Sequence, residues 1–436
     1  MVDDRPGDGV FRVNKRAYTS PSIFEEEMEK IFESGWVYLC HESQVPRTGD
    51  YFTTFAGRQA VAVVRQKDGS LAGFLNVCPH RSSILLPFRR GSLRSTLTCR
   101  FHGWVFDLGG KCLKVKFEES GGYPDARCSH RADIPAMRVE TYRGFVFGSL
   151  ERDVQQLGQY LGPAAAFLDL LVDQSPNGLE VLQGSSTYVC RHNWKIQVEN
   201  VVDGYHTPTV HRVFGNTIRH RETRSPTQGM LQTETGRIWG GGRSGCYDLG
   251  HGHMSIWTER AKPEVAPVTG MQRYIEESHP AAKAEWMLRR GRNLLVFPNL
   301  IVNDLASSHI RVARPIAADR TEVTIWCIAP VGEPAEARFA RLRKFEDFFL
   351  VTGMATGDDV SSLDAVQVGV NALANEWIDY TRGMATLVRG ADSEAKALGF
   401  DPLTSNASFD HETSNHGMFR YWLQVMQSQS KTENKA

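Results

Sequence analysis

The 436-residue chain lacks several features by which whole classes of protein are recognised. No apolar run is long enough to cross a membrane, since the most apolar stretch, residues 164–172, contains Asp169. Lys and Arg number 50, and Asp and Glu number 50, so the formal net charge is zero. That balance argues against a general binder of nucleic acid or anionic membrane. No internal repeat and no low-complexity segment is present.

The eight cysteines do not follow the spacings of a disulfide framework, and the first residues, M-V-D-D-R-P-G-D, do not resemble a signal peptide. We therefore expect a reduced, cytoplasmic protein. No G-x-G-x-x-G fingerprint follows a predicted strand, so we do not expect this chain to bind a nicotinamide cofactor itself. Six cysteines form no pair that indicates a site: Cys40, Cys112, Cys128, Cys190, Cys246 and Cys327.

The pattern of elements changes twice along the chain. A hydroxyl, a proline and three acidic residues at 19–27 predict a helix that begins near Pro21, and Gly35 ends it. Short strands and turns between 36 and 150 predict a small all-β domain, followed by a larger α+β region from Leu182. The predicted strands are Ala60–Gln66 and Leu71–Val77, which form a hairpin, then Leu97–Asp107 and Tyr142–Leu150. The sequence thus predicts an N-terminal helical segment (1–40) that packs on the last domain, a small β domain (41–155) and a larger α+β domain (156–436).

Two matched half-motifs lie at the centre of the β domain. Cys78-Pro79-His80 is followed after 18 residues by Cys99-Arg100-Phe101-His102. Zinc fingers usually present two cysteines and then two histidines, whereas here each half pairs one cysteine with one histidine. That order is typical of a Rieske [2Fe–2S] centre, with Cys78 and Cys99 on one iron and His80 and His102 on the other.

A second group of metal-ligand residues lies in the run W-K-I-Q-V-E-N-V-V-D-G-Y-H-T-P-T-V-H, residues 194–211. Asp203 and His206 are three apart and would share one face of a helix, and Pro208 is predicted to end regular helix. A helix broken at Thr207-Pro208 would let His206 and His211 ligate one ion. Two neutral imidazoles and a carboxylate form the facial triad of non-haem Fe(II) oxygenases.

The carboxylate of that triad has many candidates in the C-terminal half. Asp358-Asp359 follows a predicted helix at 334–352 and two glycines, Gly353 and Gly357, which are predicted to break the chain. The alternative is that Asp359 caps the next helix, so the pattern alone leaves the choice of carboxylate open.

With the motifs C-P-H-R, C-R-F-H-G-W and E-N-V-V-D-G-Y-H-T-P-T-V-H, the chain resembles the α (oxygenase) subunits of Rieske non-haem iron aromatic-ring-hydroxylating oxygenases. The resemblance covers nearly the whole chain and is nearest to the benzoate, anthranilate and salicylate branch. It implies an α+β fold, in which an all-β Rieske domain precedes a catalytic domain with an antiparallel sheet and helices of the helix-grip (START-like) type.

The same resemblance implies a terminal oxygenase that uses O2 and electrons from NAD(P)H, delivered by a ferredoxin or reductase, for cis-dihydroxylation of an aromatic carboxylate. The alternatives are a Rieske monooxygenase such as a salicylate hydroxylase, a dioxygenase of an uncharged aromatic, and a pure electron-transfer Rieske protein. It also implies a head-to-tail α3 or α3β3 assembly, with a small β subunit in the latter. Basic residues around the cluster loops, including Arg89 and Arg90, are candidates for docking the electron donor.

The resemblance also implies residue roles. Asp359 would be the third ligand of the mononuclear iron, with Asp358 and Asp364 as alternatives. Asp203 would hydrogen-bond to His206 and reach His102 of a neighbouring subunit, and Asn200 would be a polar residue near the iron. Pocket walls are proposed from position only: Val201, Val202, Thr207, Val210, Phe297, Asn299 and Leu300.

Two further groups have open roles. A substrate carboxylate requires a basic partner, and Arg212, Arg219 and Arg221 follow the histidines closely. The pair His251 and His253 has the composition of a metal site, but no acid lies at a suggestive spacing. We expect that pair to belong to a loop or a pocket wall.

Overall fold

The computed structural model describes residues 1–125, 132–224, 242–305, 307–372 and 374–428; side chains at 218, 219 and 221–224 are not described. Cys128 lies outside these residues, as does all but Ser428 of the C-terminal run 428–436, which the sequence predicts to be a frayed tail. The chain divides into two compact units: Met1–Glu27 with Gly158–Ala436, here the catalytic unit, and Met28–Leu157, here the cluster unit. The domain bounds 1–40, 41–155 and 156–436 stay a prediction.

Strands make up most of the regular structure of the cluster unit and the large sheet of the catalytic unit. In the described residues they are β1 Val2–Arg5, β2 Val10–Asn14, β3 Val37–His41, β4 Asp50–Ala56, β5 Gln59–Arg65, β6 Leu71–Leu75, β7 Arg90–Ser92, β8 Leu97–Thr98, β9 Val105–Phe106, β10 Cys112–Lys114, β11 Ala136–Tyr142, β12 Phe145–Ser149, β13 Leu179–Val181, β14 Ser186–Cys190, β15 Ser244–Asp248, β16 Met254–Glu259, β17 Arg290–Val296, β18 Leu300–Asp304, β19 Ser308–Ala317, β20 Arg320–Pro330, β21 Trp377–Asp379, β22 Val388–Arg389 and β23 Thr404–Asn406.

Helices cluster in the catalytic unit. Those of the described residues are α1 Arg16–Thr19, α2 Pro21–Glu27, α3 Leu157–Leu161, α4 Ala164–Val172, α5 Trp194–Val201, α6 Thr207–Val210, α7 Arg212–Arg224, α8 Gln272–Ser278, α9 Ala281–Arg289, α10 Ala335–Phe348, α11 Thr356–Val370, α12 Ser393–Leu398 and α13 Thr413–Gln427. A wider π-type turn, Met28–Glu33, follows α2. None of the described helices has both the length and the apolar character needed to cross a bilayer.

The cluster unit consists of two antiparallel sheets. One has the order β3-β12-β11-β6-β5-β4-β7 and the other β10-β9-β8. The predicted hairpin is present as β5 and β6, which pair from Val61 with Leu75 to Arg65 with Leu71. The single strand predicted for Leu97–Asp107 is wrong: a loop of six residues, 99–104, separates β8 from β9, because the chain turns back there and the two strands pair antiparallel.

The catalytic unit is built on one large antiparallel sheet of order β13-β20-β19-β18-β17-β16-β15-β23-β22, in which β14 also pairs with β20. Strands β17, β18 and β20 are nearly continuous runs of buried residues, as expected for a sheet covered on its faces. Helix α5 contacts these strands, and α11 contacts α5 and α6. This packing places residues 194–211 over the sheet and beside the first turn of α11.

A buried ion pair joins helix α5 to the end of helix α2. Glu27, at the end of α2, and Lys195 are both fully buried, with Nζ 2.5 Å from Oε1. The indole N–H groups of Trp422 and Trp194 also donate to Glu27, at 2.7 and 2.8 Å. The neighbouring Glu25 and Glu26 are exposed, so burial singles out one of three acids that look alike in the sequence.

Replacing Glu27 tests this anchor. Glu27→Ala leaves the Lys195 ammonium buried without its partner, so we expect the free energy of unfolding to fall by about 3–5 kcal/mol in urea titrations. Glu26→Ala, on the exposed neighbour, is the matched control and should change it by less than about 1 kcal/mol. Equal effects of the two substitutions would contradict the prediction.

Candidate metal centres and active site

The two Cys-His loops of the cluster unit have the same backbone geometry. The N–H of Cys78 donates to the carbonyl of Ser83, and the N–H of Ser82 donates back to the carbonyl of Cys78, at 2.9 and 3.0 Å. In the second loop Cys99 makes the equivalent bonds with Trp104 and Gly103, at 2.8 and 3.0 Å. Ser82 and Gly103 both have positive φ, 53° and 72°. Two tight turns of one kind therefore present the two half-motifs.

These turns bring the four candidate ligands together in two pairs. The thiols of Cys78 and Cys99 are buried and close enough to interact, while His80 and His102 are half-buried with ring centroids 4.5 Å apart. Burial, followed by the adjacent Cys99, raises the pKa of Cys78. The Nδ1 atom of His80 is buried without a hydrogen-bond partner. A buried thiol pair and an unpaired imidazole nitrogen fit the donor set of a [2Fe–2S] cluster.

The run 194–211 is not one helix broken at its proline. Helix α5 begins because the Asn193 side chain accepts a hydrogen bond from the N–H of Lys195, and it ends at Val201. Residues 202–206 are irregular, so the predicted helix face shared by Asp203 and His206 is wrong. Pro208 lies in the first turn of α6, where a missing N–H costs nothing, and so it starts a helix rather than ending one.

The sequence pattern did not decide which carboxylate accompanies His206 and His211, and the position of α11 identifies it as Asp359. This helix begins at Thr356, so Asp359 lies in its first turn and is 5% exposed. Gly357 lies inside the helix and does not break the chain as predicted. Asp364, one alternative, accepts instead from His192 Nδ1 and Arg191 N.

Three ligand atoms converge where these elements meet. The Nε2 atoms of His206 and His211 lie 3.5 and 3.2 Å from Oδ1 of Asp359. Within the described residues, these three side chains are the group of His, Cys, Asp and Glu whose ligand atoms all lie within 4.8 Å of one another. Two imidazoles and one carboxylate on a single ion are the donor set of the facial triad.

Asp203 and Asn200 surround this group. Oδ2 of Asp203 lies 3.1 Å from Nδ1 of His206, which fixes the ring and leaves Nε2 pointing at the centre. Its Oδ1 accepts from the N–H of Tyr205 at 2.7 Å. The amide nitrogen of Asn200 lies 3.3 Å from His206 Nε2 and 3.4 Å from Asp359 Oδ1.

The charges of the group favour a cation at its centre. Burial lowers the pKa of His206, but its hydrogen bonds to Asp203 and Asp359 outweigh burial and raise it to about 10. Burial raises the pKa of Asp359, but its bonds to His206 and His211 carry it well below its usual range. The carboxylates therefore stabilise positive charge on the imidazoles, and a divalent metal ion bound at Nε2 of His206 would take the place of a proton there.

A cavity opens beside these three side chains. Val201, Thr207, Asp203 and Asn200, all named from the sequence, are in its wall. Its other lining residues are mainly apolar and aromatic, with a few polar side chains: Ile256, Asn293, Ile301, Asn303, Leu305, Arg311, Phe348, Phe349 and Phe409.

Several residues proposed as pocket walls lie elsewhere. Val210 faces a second cavity, while Val202, Asn299 and Leu300 are buried outside both linings. Phe297 packs against Trp194 and Tyr421, with ring centroids 5.8 and 5.5 Å apart, because it belongs to the turn between β17 and β18. Closeness in sequence to the histidines, or to a strand end, did not decide which way a side chain points.

The His251 and His253 pair is not part of the metal group. His253 is fully buried, its Nε2 lies 2.9 Å from the carbonyl of Tyr160, and its Nδ1 accepts from the N–H of Phe297 at 3.0 Å. Burial lowers the pKa of His253 to about 3, so it is a neutral packing residue.

Sequence reasoning missed the wall residues on the sheet. Arg311 and Asn303 lie on β19 and β18, and Phe348 and Phe349 lie at the end of α10, far in sequence from the histidines. The alternation of Arg311 with its apolar neighbours indicates a strand, but it does not indicate which cavity the Arg311 side chain lines. Of the arginines proposed for a substrate carboxylate, Arg212 is exposed, and the side chains of Arg219 and Arg221 lie outside the described residues.

A second cavity shares Asn200, Asp203, His206 and Asp359 with the first. Glu199 lies in its wall and accepts hydrogen bonds from the hydroxyls of Tyr18 and Tyr380, at 2.9 and 2.6 Å. Burial raises the pKa of Glu199 to about 7, against the opposing effect of the two tyrosines.

Comparison with protein families gives two matches. Residues 35–124 match the model of the Rieske [2Fe-2S] domain, and residues 181–428 match the model of the ring hydroxylating alpha subunit catalytic domain. Among solved structures, naphthalene 1,2-dioxygenase with indole bound in the active site has a TM-score of 0.81 and 26% sequence identity. That similarity covers 97% of this chain and 93% of the other.

Curated proteins are similar along nearly their whole length. The chain is 42% identical over 436 residues to the toluate 1,2-dioxygenase subunit alpha of Pseudomonas putida, covering 99% of this chain and 95% of that protein. It is 41% identical to the 2-halobenzoate 1,2-dioxygenase large subunit of Burkholderia cepacia, covering 98% and 91%. It is 38% identical to the anthranilate 1,2-dioxygenase large subunit of Acinetobacter baylyi, covering 96% and 91%.

The raised pKa of Glu199 predicts a pH-dependent stability. Between the ordinary carboxyl pKa of 4.5 and about 7 the folded chain holds a proton that the unfolded chain releases, so stability falls as the pH rises through this window. Between pH 5 and 8 the free energy of unfolding of the wild type, relative to that of Glu199→Gln, should fall by up to about 2 kcal/mol. The fall is smaller than the full pKa shift would give, because Glu199 is half-buried and solvent screens its charge. Urea midpoints of both proteins at each pH measure this; a constant difference would contradict it.

Proposed function

The chain belongs to the ring-hydroxylating alpha subunits of Rieske-type oxygenases, and we propose that it catalyses cis-dihydroxylation of an aromatic carboxylate. One observation carries the proposal: a His-His-Asp group opens into an apolar, aromatic-lined cavity in a chain that also has the two Rieske loops. The names of the three full-length relatives, all 1,2-dioxygenases of aromatic carboxylates, support the substrate class.

The mononuclear iron of this family has a matching donor set here. We assign it to His206 and His211 through Nε2 and to Asp359 through Oδ1, with Asp203 holding the ring of His206. Asn200 is close enough to hydrogen-bond to a ligand oxygen at the same centre. The [2Fe–2S] cluster is assigned to Cys78 and Cys99 on one iron and to His80 and His102 on the other.

When bound, the iron supplies O2 activation at an open coordination position, and the cluster supplies electrons one at a time. The chain's own residues place and shield the ring. Phe348, Phe349 and Phe409 provide apolar contact for an aromatic ring and displace water from the cavity. The overall reaction consumes the aromatic carboxylate, O2, NAD(P)H and one proton, and it yields the cis-diol and NAD(P)+. A pure electron carrier would have no use for the His-His-Asp group.

The protein works with a reductase or ferredoxin, as a terminal oxygenase of this family does. A head-to-tail α3 or α3β3 assembly with a small β subunit, and a cytoplasmic location, belong to the proposal. Exposed aromatic side chains near the Rieske loops support docking of another protein there. They are Phe88, Phe101 and Phe117, which are 61%, 58% and 72% exposed and lie next to Arg100, Arg81 and Lys116.

Metal content tests the mononuclear site. Purified protein reconstituted with Fe(II) should hold about three irons and two acid-labile sulfides per chain. His206→Ala removes one of three ligands and should reduce the iron to about two, with sulfide unchanged. His251→Ala, outside the ligand group, is the control and should keep three irons. Two irons in the wild type and no change in His206→Ala would disprove the second site.

Removing a cluster cysteine tests the other assignment. Cys99→Ala deletes one of two thiolates on the same iron, so we expect loss of sulfide and of the visible absorption of the cluster. About one iron per chain should remain, because the mononuclear ligands are untouched. Cys112→Ala is the control, being a buried cysteine of the same unit; it should keep both sulfides. If Cys99→Ala retained its sulfide, the ligand assignment would be wrong.

A further inference from the structure

Buried arginines in the catalytic unit are almost all paired with carboxylates. Among the described residues, five arginines are buried to below one tenth exposure, and four of them lie within ion-pair distance of an acid. These four are Arg260 and Arg292 with Asp304, Arg290 with Glu285 and Glu394, and Arg341 with Glu333. Arg311 is the fifth, and no carboxylate of the described residues lies within ion-pair distance of it.

The contacts of Arg311 within the described residues use its Nε atom and leave its two Nη atoms without a hydrogen-bond partner. It lies on β19, is 3% exposed, and pairs across the sheet with Ile301 and Ile325. Its Nε donates to Nε2 of His309 at 3.0 Å, and the guanidinium lies 4.6 Å from the ring centroid of Phe349. Among the described residues neither Nη atom has a hydrogen-bond partner.

The neighbour His309 does not neutralise this charge. Burial, and then the adjacent Arg311, hold the pKa of His309 well below its usual range, so the imidazole is neutral. Its Nδ1 lies 2.9 Å from Oγ of Ser307, which leaves Nε2 as the acceptor that orients Arg311. A buried guanidinium with no counter-charge is costly, and such sites commonly serve to bind an anionic ligand.

Arg311 lines the cavity of the proposed iron site. Arg311, Phe349 and the ligand group of His206, His211 and Asp359 line the same cavity. A flat apolar ring with a carboxylate at one end matches these walls, because a guanidinium fork binds a carboxylate through two parallel N–H···O bonds.

We propose that Arg311 binds the carboxylate of the aromatic substrate through its two Nη groups and thereby fixes which end of the ring faces the metal ligands. This rests on the proposed function and assigns that function's substrate selectivity to one residue. An uncharged aromatic of the same shape would leave the guanidinium buried without a counter-charge. The cavity therefore prefers the anion.

Benzoate and its neutral isostere benzamide are suitable probes, used with iron-loaded holoenzyme and its electron-transfer partners. Wild type should bind benzoate at least about 100-fold more tightly than benzamide in calorimetric titrations. Arg311→Gln should weaken benzoate binding about 100-fold, raise KM for benzoate in O2-uptake assays, and leave benzamide binding within a few-fold. Arg311→Lys, which keeps the charge but not the fork, should restore part of the benzoate affinity.

Arg320→Gln is the matched control: it removes the same charge from an exposed position at the start of β20, outside the cavity. It should bind benzoate as wild type does. Iron and sulfide content of each variant shows that the metal centres are intact. Benzoate binding by Arg311→Gln that equals wild type would overturn the inference. So would a wild type that does not prefer benzoate to benzamide, a result that needs no variant to fold.

The two ideas fail separately. If wild type binds benzoate through Arg311 but takes up no O2 with any aromatic carboxylate, the proposed function fails and the binding site stands. If wild type oxidises benzoate and Arg311→Gln oxidises it with the same KM, the function stands and the role of Arg311 is refuted.

Discussion

The catalytic unit depends on bringing one carboxylate to two imidazoles in a buried place. Asp359 comes from the first turn of α11, and the histidines come from the ends of α6, so neither segment forms the group alone. A buried carboxylate is unfavourable unless positive partners compensate it. The position of α11 against α5 and α6 is therefore tied to the charge that the site holds.

The same rule explains the anchor beneath the site. Lys195 precedes the site residues on α5, and its buried charge is matched by Glu27, which also accepts from Trp194 and Trp422. The N-terminal helix, the site helix and the C-terminal helix thus meet at one carboxylate. Because each buried charge here must find its partner, the network specifies the position of α5 more sharply than apolar packing alone would.

Arg311 is the exception to that rule. The sheet that carries it also carries Arg292 and Asp304, which form an ion pair in its interior. A buried charge that stabilises a fold has its counter-charge within the chain, whereas a buried charge that binds a ligand receives its counter-charge from the ligand. The burial of Arg311 alone would not indicate a role. Its lack of an acidic partner, together with its place on a cavity wall beside a metal-ligand group, indicates a binding site.

The sequence by itself determined the features that depend on local spacing. The Cys-His half-motifs, the His206 and His211 pair and the hairpin of β5 and β6 are each made by residues close in the chain, where short turns dictate geometry. Family resemblance extended this to Asp359 and to the reaction class. Only the tertiary structure decided that Glu27 is buried, that Phe297 packs outside the cavity and that Arg311 lines it. Those outcomes depend on which strands and helices pack together, and contacts between distant segments leave no periodic signal in the sequence.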